Sequence, residues 1–164
     1  MVVIMYDGGR FSNLNSDMME VLFKLSSSQN LCKLLYYNDE NPLSKPDITN
    51  TRSLWYNYIY PYRYIPEIQT DLKCLLTFSF GEFRSTKGNE FKAGSIIFNI
   101  ICHKDLVKVN YGSRLFCMMN EIDKLFNDQS VASLFKLTFD RSDELFVNKD
   151  YPAYYIKYKT FDFN

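Results

Sequence analysis

Several things are scarce in this chain, and each shortage excludes a class of function. Only one histidine, His103, occurs in 164 residues, and it follows Cys102 at the end of an apolar alternation. A Cys–His nucleophile pair needs both side chains on one side, whereas neighbouring strand residues point to opposite faces, so Cys102 and His103 do not form one. The four cysteines, Cys32, Cys74, Cys102 and Cys117, include no CxxC or CxxH spacing, so no zinc site is expected. Each sits among Leu, Ile, Phe or Met, the setting of a reduced core thiol. There is no net charge, with 19 basic residues against 19 acidic. A protein whose main task is holding nucleic acid needs a surplus of Lys and Arg. No apolar run approaches the ~20 residues of a membrane-spanning helix; the longest, 96–102, is broken by Asn99. The opening apolar residues, Met1 to Tyr6, have no basic residue ahead of them and are too short for a signal-peptide core. A cytosolic protein, or one assembled in a cytosol into something larger, is expected.

Two further motifs carry no chemistry. Asp7-Gly8-Gly9-Arg10 has adjacent glycines without the spacing of a phosphate-binding loop and reads as a turn. Asp140, Asp143 and Glu144 lack the pattern of a calcium loop and read as the tip of a hairpin. No catalytic residue, cofactor site or metal site is expected, and the chain is read as non-enzymatic.

What the chain has in excess is aromatic side chains, 17% of all residues. Their placement follows from the element pattern. Asn15 or Ser16 caps a first helix in which Met18, Leu22 and Leu25 share a face, widened by Met19 and Phe23. Ser28 caps a second short helix carrying Leu31, Leu34 and Leu35, unless the two are one bent helix. Alternating apolar residues predict strands over 72–80 and 95–103, the second apolar on both faces and therefore central. Leu115, Met118, Met119, Ile122, Leu125 and Phe126 predict a third helix. Two closing strands are expected over 134–139 and 154–163, with a polar loop between them. The result is a single α+β domain over 1–164, a four-stranded antiparallel sheet with helices on one face, in the order α-α-arm-β-β-α-β-β.

The arm is the stretch 38–71, without periodicity, which holds Pro42, Pro46, Pro61 and Pro66, Trp55, and tyrosines at 56, 58, 60, 62 and 64. So long a connection implies function, and Tyr and Trp with scattered Arg are the composition of protein contacts. It carries three basic against five acidic residues, whereas 72–110 carries six against three. An acidic arm and a basic hairpin suit head-to-tail contacts between identical subunits; unrelated solvated patches are the other reading. Trp55, Tyr58, Tyr60 and Tyr62 are the expected subunit contacts, and removing 50–64 is expected to leave a folded monomer. The hairpin tip, 81–94, with Arg84, Lys87 and Lys92, is a second expected contact.

Leu31-Cys32-Lys33-Leu34-Leu35-Tyr36-Tyr37, then Asn41-Pro42-Leu43 and the aromatic arm, form one group of residues with a resemblance. Ile100-Ile101-Cys102-His103, then Tyr111-Gly112-Ser113-Arg114 and Ile122-Asp123-Lys124-Leu125-Phe126, form the second. With this order of elements over 16–164, the chain resembles the tail-terminator and tail-completion class of head–tail joining proteins of tailed bacteriophages. The resemblance implies a virion subunit assembled in the host cytoplasm, with no cofactor and no membrane. It implies a ring of six or twelve copies between the portal or neck proteins and the tail tube, with DNA passing transiently through the lumen. Arg84, Lys87 and Lys92 then face either the next ring or the DNA. A small phage- or mobile-element-encoded binding or regulatory module is the alternative.

Overall fold

The computed structural model describes residue 9 and residues 11–66, 72–85, 91–92, 94–131 and 136–160. Along the chain run α1 (Leu14–Ser27), α2 (Gln29–Tyr36), single 3₁₀ turns at Pro42–Ser44 and Thr51–Leu54, and β1 (Ile59–Tyr60). Then come β2 (Cys74–Gly81), β3 (Arg84–Ser85), β4 (Phe91–Lys92) and β5 (Ser95–Cys102). After a 3₁₀ turn at Lys104–Leu106 follow β6 (Lys108–Val109), β7 (Gly112–Ser113), α3 (Arg114–Phe126), β8 (Leu137–Asn148) and β9 (Tyr151–Thr160).

The fold is α+β, but the main sheet has five strands in the order β1-β2-β5-β9-β8, not four. β2, β5, β9 and β8 pair antiparallel as expected, and β1 adds in parallel to β2, with Ile59 opposite Leu76 and Tyr60 opposite Thr77. β5 is central, in keeping with its two apolar faces. Two-stranded ribbons, β3–β4 and β6–β7, complete the described strands.

The three helices cover the face bearing Leu76, Phe78, Ile96, Phe98, Ile100, Ile156 and Tyr158. Helix α3 buries Leu115, Met118, Ile122 and Phe126 at helical spacing, while Leu31, Leu34 and Leu35 of α2 lie in the same core. Ser28 caps α2 by accepting a hydrogen bond from the Leu31 N–H at 3.2 Å. Helix α1 starts earlier than expected, so Asn15 and Ser16 lie inside its first turn instead of capping it.

The last two strands differ more from expectation. β8 runs through the polar residues 140–144 and beyond, and the turn falls at Lys149 and Asp150. Asp140, Asp143 and Glu144 are therefore strand residues, not a tip. β8 is an edge strand with much of its length half-exposed or exposed, so polar residues there cost little and read as loop. Residues 134–135 and 161–163 of the expected strands lie outside the described residues. The outer edge of β8 is partly occupied. The Leu137 N–H donates to the Gln129 carbonyl at 2.9 Å and the Phe139 N–H to Asn127 Oδ1 at 3.1 Å. The Glu144 N–H bonds the carboxylate of its neighbour Asp143 at 2.8 Å.

Cys74 and Cys102 are direct cross-strand partners at the start of β2 and the end of β5, and they form a disulfide. The expectation of four reduced thiols is thus corrected for two of them. Spacing of 28 residues gives no hint of the pair; the antiparallel register creates it. Cys32 stays a free buried thiol, its pKa pushed up to about 11 by burial, and Cys117 is free and half-buried. Denatured without reductant, the chain is expected to take up two equivalents of a maleimide, and four after reduction; four in both arms would refute the bond.

On the second sheet face, Lys157 is buried and donates to Glu82 at 2.5 Å, with Asp140 bonded to Lys159 at 2.8 Å. These hydrogen bonds hold both carboxyls below the ordinary carboxylate range. Glu82 has φ 53°, and a Cβ on Gly94 would meet its carbonyl oxygen at 2.3 Å, so only glycine lets the chain pass there.

Candidate interaction site

The described part of the arm, 38–66, does not project from the domain; it wraps its own core and supplies β1. Leu54 and Ile59 are buried in the main core, and Tyr60 in the smaller cluster on the second sheet face with Leu75, Ile101, Tyr151 and Ala153. The physical reason is that the aromatic run contains alternate residues with two separate destinations. Ile59 shares the helix-covered face with Leu76, and Tyr60 faces the other way.

The four expected contact residues therefore have different surroundings. Trp55 is half-buried; its Nε1–H donates to Ser26 Oγ at 2.5 Å, and its ring meets Phe23 edge-on at 5.1 Å. Tyr58 packs on the core beneath the Lys73 ammonium, 4.3 Å from its ring centre. Tyr60 is buried and stacks on Tyr64 at 4.3 Å. Tyr62 is 47% exposed and leans on Tyr60 and Tyr56. At the hairpin, Arg84 pairs with Lys92 across β3 and β4, and Lys87 lies outside the described residues.

An exposed aromatic surface survives, built from different residues. Phe23 of α1 is 44% exposed, and the Arg52 guanidinium lies 4.9 Å above its ring and 5.8 Å from that of Trp55. Such a cation–π contact is worth ~0.5–1 kcal/mol at an exposed site. Met19 and Tyr56 are also exposed. Helical spacing placed Met19 and Phe23 with the core; Met19 does pack against it while partly exposed, whereas Phe23 turns to Trp55 and Arg52. The buried stripe of α1 is in fact narrower, with Val21, Leu22 and Leu25 filling it. Only the nearness of Arg52 to Trp55 in the chain hinted at the cluster.

A cleft of about 260 Å³ opens on the second sheet face. Its floor is Thr77, Asn99 and Ile101, and its walls are residues 63–65 and 145–147. Asn99 Nδ2 donates to Thr77 Oγ1 at 3.1 Å. No Cys, Ser, His, Lys or carboxylate is among the described residues that line it. His103 lies apart, its Nδ1 accepting from the Asp105 N–H at 3.2 Å, while the sulfur of Cys102 is bonded to Cys74. Among the described residues no group of three or more His, Cys, Asp or Glu is arranged to hold a metal ion. Nor, among them, is any helix long and apolar enough to cross a membrane.

What orients the arm and the helices together is Arg114, the first residue of α3, 1% exposed. Its Nε donates to the Leu106 carbonyl at 2.8 Å, one terminal nitrogen to the Leu34 and Tyr37 carbonyls at 2.8 Å each, and the other to the Asp39 carbonyl at 2.6 Å. Leu34 belongs to the last turn of α2, whose carbonyls have no helical partner. The guanidinium thus caps α2 from another helix, at the end where the helix dipole favours a cation. Burial lowers its pKa, and the four carbonyl acceptors offset that desolvation.

Residues 28–160 match the YomW family, and the chain belongs to that family. The match opens at the α2 cap and includes the arm, the whole sheet and α3; membership by itself assigns no neck or tail role. No curated protein matches the chain.

Proposed function

We propose that this chain is a non-enzymatic structural subunit of a bacteriophage particle. Copies of it form a ring in the neck or tail that joins portal to tail and lets DNA pass, with adjacent neck or tail-tube proteins as neighbours. The observation that carries this reading is the Phe23–Arg52–Trp55 cluster, with Tyr56 and Tyr62 exposed in the same stretch of chain. Trp, Tyr and Arg gathered on an exposed surface are the residues that dominate protein–protein binding energy. The family name, of the type given to prophage proteins, supports the phage setting. An α+β subunit with helices on one sheet face suits that reading, although the sheet has five strands and not the four expected.

Light scattering on the purified chain is expected to give the mass of a closed ring, and negative-stain microscopy to show annuli. A chain that remains monomeric up to about 1 mM, the weakest association worth calling specific, would overturn the self-assembling part of the reading.

A further inference from the structure

Resting on that reading, we infer that the ring closes through a defined head-to-tail contact. The Phe23–Arg52–Trp55 surface of one copy receives the Glu144–Phe146 surface of the next. The second surface lies at the far end of the β8–β9 hairpin. Phe146 is 89% exposed and faces Pro152 across the strands. Glu144 faces Tyr154, whose hydroxyl donates to its carboxylate at 3.2 Å. The Tyr154 ring meets exposed Phe116 of α3 edge-on at 5.3 Å. The result is an apolar and aromatic patch with a carboxylate in it.

Two features make the surfaces a pair. First, their charges are complementary and unmet within the chain. Among the described residues Arg52 has no carboxylate partner and Glu144 has no basic partner, although both are exposed. An unpaired charge ringed by apolar side chains stays hydrated in the monomer and gains a partner only when the second surface arrives. Second, they are different surfaces on different parts of the sheet. The Trp55 cluster lies beyond β1 at one end of the strand order, and Phe146 lies on β8 at the other. A contact between unlike patches of identical chains is heterologous, and it closes into a ring when the rotation between copies divides the circle. A self-complementary patch would instead stop at a dimer.

Charge reversal tests this directly. Arg52→Glu alone and Glu144→Arg alone are each expected to weaken self-association at least tenfold, because each places like charges in the contact. An equimolar mixture of the two variants is expected to recover assemblies of wild-type mass, since every interface can again pair opposite charges in an alternating ring. Recovery on mixing also shows that both variants are folded. Wild-type chains that assemble while the mixture does not recover would overturn this contact and leave the ring reading standing. Single variants that assemble as well as wild type would do the same, placing the interface elsewhere. A wild-type chain that stays monomeric removes both.

Discussion

Replacing Arg114 with methionine is expected to lower folding stability by about 3–5 kcal/mol, because it strands several buried carbonyl acceptors together. Methionine fills much of the volume, so the loss isolates the hydrogen bonds. Four carbonyls lose their donor at once, those of Leu34, Tyr37, Asp39 and Leu106. A buried acceptor left unsatisfied costs ~1–3 kcal/mol, and the deeper ones count most here. For a chain of this size each kcal/mol moves the melting midpoint by about 2–4 °C, so a fall on the order of 10 °C is expected by calorimetry. Lysine at this position should recover less than half of the loss. An ammonium is a point charge, and it cannot reproduce a planar fork aimed at three separate segments. A midpoint within about 2 °C of wild type for the methionine variant would refute the clamp.

Deleting residues 50–64 should abolish folding, the reverse of what the sequence pattern led one to expect. The deletion removes β1 with its parallel pairing to β2, and it takes Leu54 and Ile59 out of the main core. Full burial of those two side chains is worth ~3–6 kcal/mol. Tyr60 on the other sheet face and the Trp55–Ser26 hydrogen bond add to that. Total stabilities run ~5–15 kcal/mol, so the loss rivals the whole. Circular dichroism and one-dimensional proton NMR should show a collapsed, poorly dispersed chain. A dispersed, cooperatively melting deletion variant would show that the arm is dispensable after all. Reading oligomeric state from such a deletion would confuse unfolding with lost assembly, so point changes on exposed side chains are the safer probe.

Helix periodicity and strand alternation made much of the fold legible. α2, α3 and the central β5 could be read because burial imposes a repeat on their side chains. β1 could not, because two residues carry no period and its neighbours are tyrosines bound for both faces and for solvent. The extension of β8 was hidden because an edge strand tolerates charge. The candidate surface was only half legible. Trp55 stood out as an aromatic of the arm, but its companions Phe23 and Arg52 are brought to it by tertiary packing alone. Arg114 stood in view within Tyr111-Gly112-Ser113-Arg114, yet nothing in the sequence tells a helix-opening arginine in solvent from one buried against four carbonyls.

The edge of β8 has a consequence for solubility. A long edge strand ending in an exposed phenylalanine is the kind of template on which copies add backbone to backbone without limit, toward fibres. Here the Leu137 and Phe139 amides are already engaged by residues after α3, and Asp143 claims the amide of Glu144 with its own carboxylate. The short stretch left open also carries Arg141, Asp143 and Glu144, whose charges resist dry stacking. Growth by sheet extension is thereby discouraged.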